Sequence, residues 1–301
     1  MNIFISGSTG FVGTNLIQYL KESFNPTIFP ITRDMFLKNS YPKLDGTIIH
    51  LAGKAHDLKG ASSNDEYQFI NVELTKQLFN AFIESEANVF IFISSVKAAA
   101  DKVDHILFED AVPSPSTSYG ISKLNAERYL LSIKLPPNKK LYILRPVMIH
   151  GPGNKGNLNL LYNLVKMGMP YPLGAYYNQR TYLSIENFCF IITEFIQQKN
   201  ITSGIYNISD SNSFSTVELI NIMSDVLNKK SKIWSIPKYI IITIAKFGDI
   251  IKLPLNTERL DKLTESYLVS NQKLLEAINK PLPIQGTTGL IKTIKSFQLN
   301  S

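Results

Sequence analysis

The chain has 301 residues and a mass of 33.9 kDa, with 44% apolar and 18% charged residues, a globular composition that excludes wholesale disorder and fibrous or coiled-coil architectures. Lysine and arginine number 31 against 24 aspartates and glutamates, a formal charge of +7, yet no block of like charges and no aromatic-interleaved basic motif is present, so a nucleic-acid arm is not indicated. With one cysteine, Cys189, and four histidines there is no internal disulfide and no Cys/His cluster at zinc spacing, which points to a reducing, cytoplasmic setting and metal-free chemistry.

In chain order, Asn2 to Ser6 is a short apolar run that meets Gly7, Gly10 and Gly13 and then an amphipathic helix over Asn15 to Ser23. This uncharged first segment has too many glycines and polar residues for a signal peptide or span, and belongs to the fold. Further strand-like runs cover Thr27 to Thr32, Thr47 to Leu51, Val89 to Ser94 and Leu141 to Leu144, with helical patterns over Asn71 to Ser85 and Ser118 to Ile133 between them. Strands that are apolar throughout and separated by helices predict an α/β, Rossmann-type doubly wound parallel sheet. After Gly151 the chain changes style, with prolines and glycines crowded up to Gly174. Gln179 to Ile185 and Gly204 to Ile208 read as strands, and Ser215 with Glu218 forms a capping box for a helix through Leu227. The apolar run Tyr239 to Ala245, between Lys238 and Lys246, is too short to span a bilayer and reads as a helix packed on its own protein. The expected organisation is a dinucleotide-binding domain over residues 1–154, to which 179–208 returns, and a smaller C-terminal α/β substrate lobe over 155–301.

Gly7, Gly10 and Gly13, placed directly after the first strand and opening the first helix, supply a turn without Cβ clashes and let backbone N–H groups approach a diphosphate. At the end of the second strand, Arg33 suits a 2′-phosphate and Asp34 ribose hydroxyls, so NADP(H) is preferred and NAD(H) is the alternative. Tyr119 and Lys123, four apart on one helix, share a face, and a nearby ammonium lowers a phenol's pKa and prepares it for proton transfer. Ser95, at the end of the fourth strand, is the candidate hydrogen-bond partner of the substrate oxygen.

These residues, with His50-Leu51-Ala52-Gly53, Asn71, Ser94-Ser95, Leu144-Arg145-Pro146 and Gly151-Pro152-Gly153, resemble the extended short-chain dehydrogenase/reductases of the nucleotide-sugar epimerase/dehydratase group over nearly the whole chain. The resemblance implies that Ser95, Tyr119 and Lys123 form the catalytic set. It further implies that Thr9, Phe11, Val12, Leu51, Ala52, Gly53, Asn71 and Ser94 line the cofactor, that Pro146 lies beside the nicotinamide, and that two copies pair through the helices 71–85 and 118–133. Gly156-Asn157-Leu158, Tyr171-Pro172-Leu173-Gly174 and Arg180 resemble the segments that meet a nucleoside-diphosphate sugar, with Arg259 as a second clamp and Lys97 as a sugar contact. Where 4,6-dehydratases of the group carry an acid pair after the serine, this chain has Val96-Lys97, which disfavours elimination of water. Ala99-Ala100 depart from the group's usual Tyr-Gly. The resemblance thus implies hydride transfer at C4 of a UDP-sugar, foremost reduction of a UDP-4-keto-6-deoxy-N-acetylhexosamine for surface polysaccharide. Its alternatives are a UDP-sugar 4-epimerase (UDP-glucose or UDP-N-acetylglucosamine) and, in another class, a non-catalytic NADP(H)-sensing regulator.

Overall fold

A computed structural model of the chain describes residues 1–55, 63–154, 157–251 and 256–299, without the side chains of Asn157, Ile250 and Ile251. The first half runs β1 (Asn2–Ser6), α1 (Phe11–Ser23), β2 (Thr27–Ile31), α2 (Arg33–Lys38), β3 (Thr47–His50) and α3 (Asn64–Gln68), which passes through a π-helical turn (Phe69–Glu73) into α4 (Leu74–Glu84). It continues with β4 (Val89–Ile93), a 3₁₀ turn (Val96–Ala98), α5 (Ser118–Ser132), β5 (Lys140–Pro146) and β6 (Met148–His150). Then come α6 (Asn157–Lys166), β7 (Arg180–Ser184), α7 (Ile185–Gln197), β8 (Gly204–Ile208), β9 (Ser213–Phe214) and α8 (Thr216–Val226). The chain closes with α9 (Lys238–Ile251), α10 (Thr257–Thr264), α11 (Gln272–Ile278) and α12 (Gly286–Leu299).

β2-β1-β3-β4-β5-β8 form one all-parallel sheet. Its inner strands are buried nearly end to end because helices cover both faces. Pro30 is tolerated because β2 is the edge strand. The order reverses between β1 and β3, so a crevice opens at their carboxyl ends, where such sheets bind ligands. One core lies between the sheet and α1, α7 and α11; another, with Phe79, Phe82 and Phe90, lies under α4 and α5. A third core, including Leu158, Tyr162, Tyr182 and Ile294, gathers α6, α8, α9 and α12 around the small sheet β6-β7-β9.

Three boundaries differ from the sequence reading. Asn71 does not open a helix: Ser63 caps α3 by accepting the Glu66 N–H at 3.2 Å, and Asn71 lies inside the π turn. α1 starts at Phe11 rather than Asn15, because Gly13 is carried within it. Of 179–208, β7 pairs with β6 and β9 in the small sheet, whereas α7 packs on α1 and β8 joins the large one. The chain crosses a boundary at 154 more often than expected, since Tyr267, Val269 and Leu274 also belong to the first core. The capping box at Ser215 and Glu218 is present at the start of α8. Among the described residues no helix is long and apolar enough to cross a membrane, and no cluster of metal-binding side chains occurs.

Candidate active site

The crevice between β1 and β3 is shaped by close backbone approach. Gly7 has φ +71°, and a Cβ there would lie 2.8 Å from the Ala52 nitrogen; one on Gly13 would lie 2.3 Å from the Gly7 carbonyl oxygen. The Gly10 N–H donates to that carbonyl at 3.2 Å, and α1 then begins with no side-chain cap and no acid in its first turn. Its first N–H groups, at Phe11, Val12 and Gly13, are therefore left for an anion. This cradle fits a dinucleotide's diphosphate. Thr9 lies in the turn, and exposed Arg33 begins α2 directly after β2, beside Asp34, which pairs with Lys38 at 2.8 Å.

Opposite the glycine turn, a chain of hydrogen bonds holds the end of β3. The Thr75 hydroxyl donates to the Asn71 carbonyl at 2.8 Å, so at 2.9 Å it accepts from His50 Nε2, and His50 Nδ1 accepts from Ser6 Oγ at 2.6 Å. Ser6 Oγ in turn accepts the Ala52 N–H at 3.2 Å, while the Leu51 N–H donates to the Ser6 carbonyl. Burial, and then the charge of Lys123, push His50 down to about 3, so the ring is neutral and its tautomer follows from this chain. The Asn71 side chain is likewise committed: it accepts the Lys54 N–H at 2.7 Å and donates to the Lys54 carbonyl and Ser122 Oγ. Ser122 Oγ donates to the Tyr119 carbonyl at 2.8 Å. Asn71, expected to touch the cofactor, thus anchors the wall of the crevice to the turn that carries Tyr119.

Tyr119 and Lys123 rise from the first turns of α5, whose N-cap Thr117 accepts the Gly120 N–H. Asp101 fixes that start by accepting from the Ser116 and Thr117 N–H groups at 2.6 and 2.9 Å and from both hydroxyls. Burial pushes the Asp101 carboxyl up, but these bonds outweigh it and hold it below its usual value. Burial raises the pKa of the Tyr119 phenol, the nearby Ser95 side chain opposes this, and Tyr67 adds to the rise. The electrostatics therefore differ from the sequence expectation, in which Lys123 lowers this value. Lys123 is buried and donates instead to the Ile93 carbonyl at 2.9 Å, over the Phe92 ring. Burial brings its own pKa down to about 8 against the pull of Glu127. A Cβ on Gly53 would lie 3.0 Å from Lys123 Nζ, so Gly53 keeps room for the ammonium.

Ser94 also turns inward. Its hydroxyl donates to Glu127 at 2.5 Å, and Arg145 clamps the same carboxylate at 2.9 and 2.6 Å, a pair only 1–2% exposed. This ties β4, α5 and β5 together just below Ser95 and Pro146. Glu127 and Asp101 were missed from sequence: lone acids on a helix and a loop carry no local signal of their partners.

The expected substrate contacts divide. Leu158, Tyr171 and Leu173 are 3, 6 and 3% exposed and build the third core, so their side chains back the lobe rather than present a face to solvent. The side chain of Asn157 lies outside the described residues, as do Gly156 and His56. Arg180, expected to clamp a diphosphate, uses Nε on the Glu265 carbonyl at 3.0 Å and one terminal nitrogen on the Lys262 carbonyl. Arg259 is exposed on α10. Lys97 Nζ donates to the Asp101 carbonyl at 2.6 Å and lies 4.2 Å from the centre of the Tyr267 ring; burial lowers its pKa. At Ala99-Ala100, where the expected Tyr-Gly is missing, the Tyr267 hydroxyl donates to the Ala100 carbonyl at 2.6 Å, so a tyrosine from the far end of the chain packs there.

A family model described as the NAD dependent epimerase/dehydratase family matches residues 3–209. The UDP-glucose 4-epimerase of Vibrio cholerae is 28% identical over 98% of this chain and 95% of its own. The N-acetyl-alpha-D-glucosaminyl-diphospho-ditrans,octacis-undecaprenol 4-epimerase of Escherichia coli O157:H7 is 30% identical over 76% of this chain and 73% of its own. Among solved structures, RMD from Pseudomonas aeruginosa complexed with NADPH superposes with a TM-score of 0.77 at 20% identity, covering 99% of this chain and 100% of that one; this likeness carries the fold alone.

Proposed function

The chain belongs to the NAD dependent epimerase/dehydratase family, as an NAD(P)-dependent nucleotide-sugar enzyme, and from that membership we propose that it is a 4-epimerase acting at C4 of a UDP-sugar. The observation that carries the reading is the buried Tyr119 phenol at the start of α5, facing the Ser95 side chain after β4 beside the glycine-turn crevice. Bound there, a nicotinamide supplies reversible hydride transfer at C4. With the positive charge of an oxidised nicotinamide in the crevice favouring its phenolate, Tyr119 would take the proton of the sugar's 4-hydroxyl in one half-reaction and return it to the carbonyl oxygen in the other, while Ser95 donates a hydrogen bond to that oxygen. Lys123 holds the nicotinamide ribose, with Gly53 keeping space for it, and the free N–H groups of α1 take the diphosphate. Val96-Lys97 supply no acid-base pair for dehydration. The 4-epimerases among the relatives support epimerisation over the reduction foremost in the sequence reading, since one of them spans nearly the whole chain.

A second reading, 4-ketosugar reduction with NADPH, is favoured by exposed Arg33 after β2 and by a phenol that burial keeps protonated and ready to donate. Two copies pair in either reading through α4 and α5, where Leu131 stays 52% exposed. The test incubates the protein with UDP-glucose or UDP-N-acetylglucosamine and NAD, and separately with a UDP-4-keto-6-deoxy-N-acetylhexosamine and NADPH. Epimerisation yields the C4 epimer with no net change in cofactor; reduction consumes NADPH in proportion to product. Tyr119→Phe lowers either rate by on the order of 10³ with dinucleotide binding kept. Inactivity in both assays, or a fully active Tyr119→Phe, overturns the proposal.

A further inference from the structure

α9 is apolar on two opposite sides. Ile241, Ala245 and Gly248 face the third core, and Ile241 and Ala245 are at most 2% exposed. Roughly opposite, Tyr239, Ile240, Ile244 and Phe247 recur at the spacing of one helical stripe and are open to solvent, Tyr239 at 71% and Phe247 at 62%. Such a stripe needs a covering partner, and the charges around it say which kind. From Val226 to Asp249 the chain holds five lysines, Lys229, Lys230, Lys232, Lys238 and Lys246, and one acid, Asp249, whose carboxylate accepts from the Thr257 N–H at 3.0 Å and from its hydroxyl at 2.5 Å. Lys246 lies beside the stripe on the helix itself, Lys238 at the start of the helix holds its ammonium 5.3 Å from the centre of the Tyr176 ring, and Trp234, 56% exposed, precedes it. A second copy laid on the same stripe would bring the same lysines against these, with Asp249, already held by Thr257, as the one acid of this segment, and protein interfaces are depleted in lysine. An anionic lipid surface answers both features: acyl chains take the apolar stripe, aromatic side chains sit at headgroup level, and lysines meet the phosphates.

We infer that α9 is a membrane-surface helix that lays this protein on anionic lipid, in the plane of the interface and without crossing it. This goes beyond the proposed C4 chemistry and does not depend on it. The experiment sediments the full chain with vesicles of phosphatidylcholine alone and of phosphatidylcholine with phosphatidylglycerol, at low and high salt. The expected result is binding to the anionic vesicles only, weakened by salt, and weakened at least about tenfold in Tyr239→Ser/Phe247→Ser, which removes two aromatic anchors from the stripe. That variant keeps wild-type thermal stability and wild-type dinucleotide binding, because both positions lie on the solvent side. Failure to bind anionic vesicles overturns the inference, as does equal binding to neutral ones or unchanged binding by the variant. Self-association that the variant abolishes, read by analytical ultracentrifugation without lipid, would assign the stripe to a second copy and overturn it equally.

Discussion

Lys123 gives the sharpest prediction, because it is a charge held inside the protein. Its pKa falls from 10.5 to about 8 on folding, mainly through burial, which corresponds to about 3 kcal/mol of unfavourable free energy for keeping it charged. The neutral amine would still keep a hydrogen bond to the Ile93 carbonyl, 2.9 Å away, worth about 1 kcal/mol. Lys123→Met removes both, so at pH 7 the variant is expected to be more stable than the wild type by about 2 kcal/mol, while losing activity. The pH dependence isolates the charge. Below about pH 8 folded and unfolded chains both hold the proton and the full cost is present; between about 8 and 10.5 only the unfolded chain holds it, so wild-type stability rises with pH relative to the variant. By about pH 9.5 the wild type regains about 2 kcal/mol, and the difference between the two proteins closes. Denaturant melts of both proteins across that range measure the difference directly. A difference that is independent of pH, or that moves in favour of the variant as pH rises, would refute the claim that burial destabilises this ammonium.

The glycine turn and the buried ion pair yield two further outcomes. Gly13→Ala puts a Cβ 2.3 Å from the Gly7 carbonyl oxygen, a contact with backbone that cannot swing away. It should cost about 2 kcal/mol of stability and abolish dinucleotide binding in a fluorescence titration; unaltered affinity would remove the turn from the cofactor site. Glu127→Ala leaves Arg145 charged and unpaired at 2% exposure and should cost about 3–5 kcal/mol in a denaturant melt, whereas Glu127→Leu with Arg145→Met should recover much of that loss. A double variant no more stable than Glu127→Ala would show that the pair is not the source of the cost.

Local pattern determined a good deal of this protein. Strand cores such as Thr47 to His50 and Gly204 to Ile208, the capping box at Ser215, and the three-glycine turn are all legible because each depends on neighbours in sequence: periodicity, β-branching, a cap three residues from its partner. The same holds for Tyr119 and Lys123 sharing a helix face. What no local pattern carries is the partner of a polar group across the fold. The side chains of Asn71 and Ser94 are bonded to Lys54, Ser122 and Glu127, and Tyr267 reaches the Ala100 carbonyl from 167 residues away. Nor does it fix the state of the phenol. Spacing alone brings an ammonium near Tyr119, but the pKa of each group follows from how deeply the fold buries it and what accepts its hydrogen bonds, and here burial raises the phenol and depresses the lysine together. Desolvation and long-range hydrogen bonding act through distance in space, so only the tertiary structure decided them.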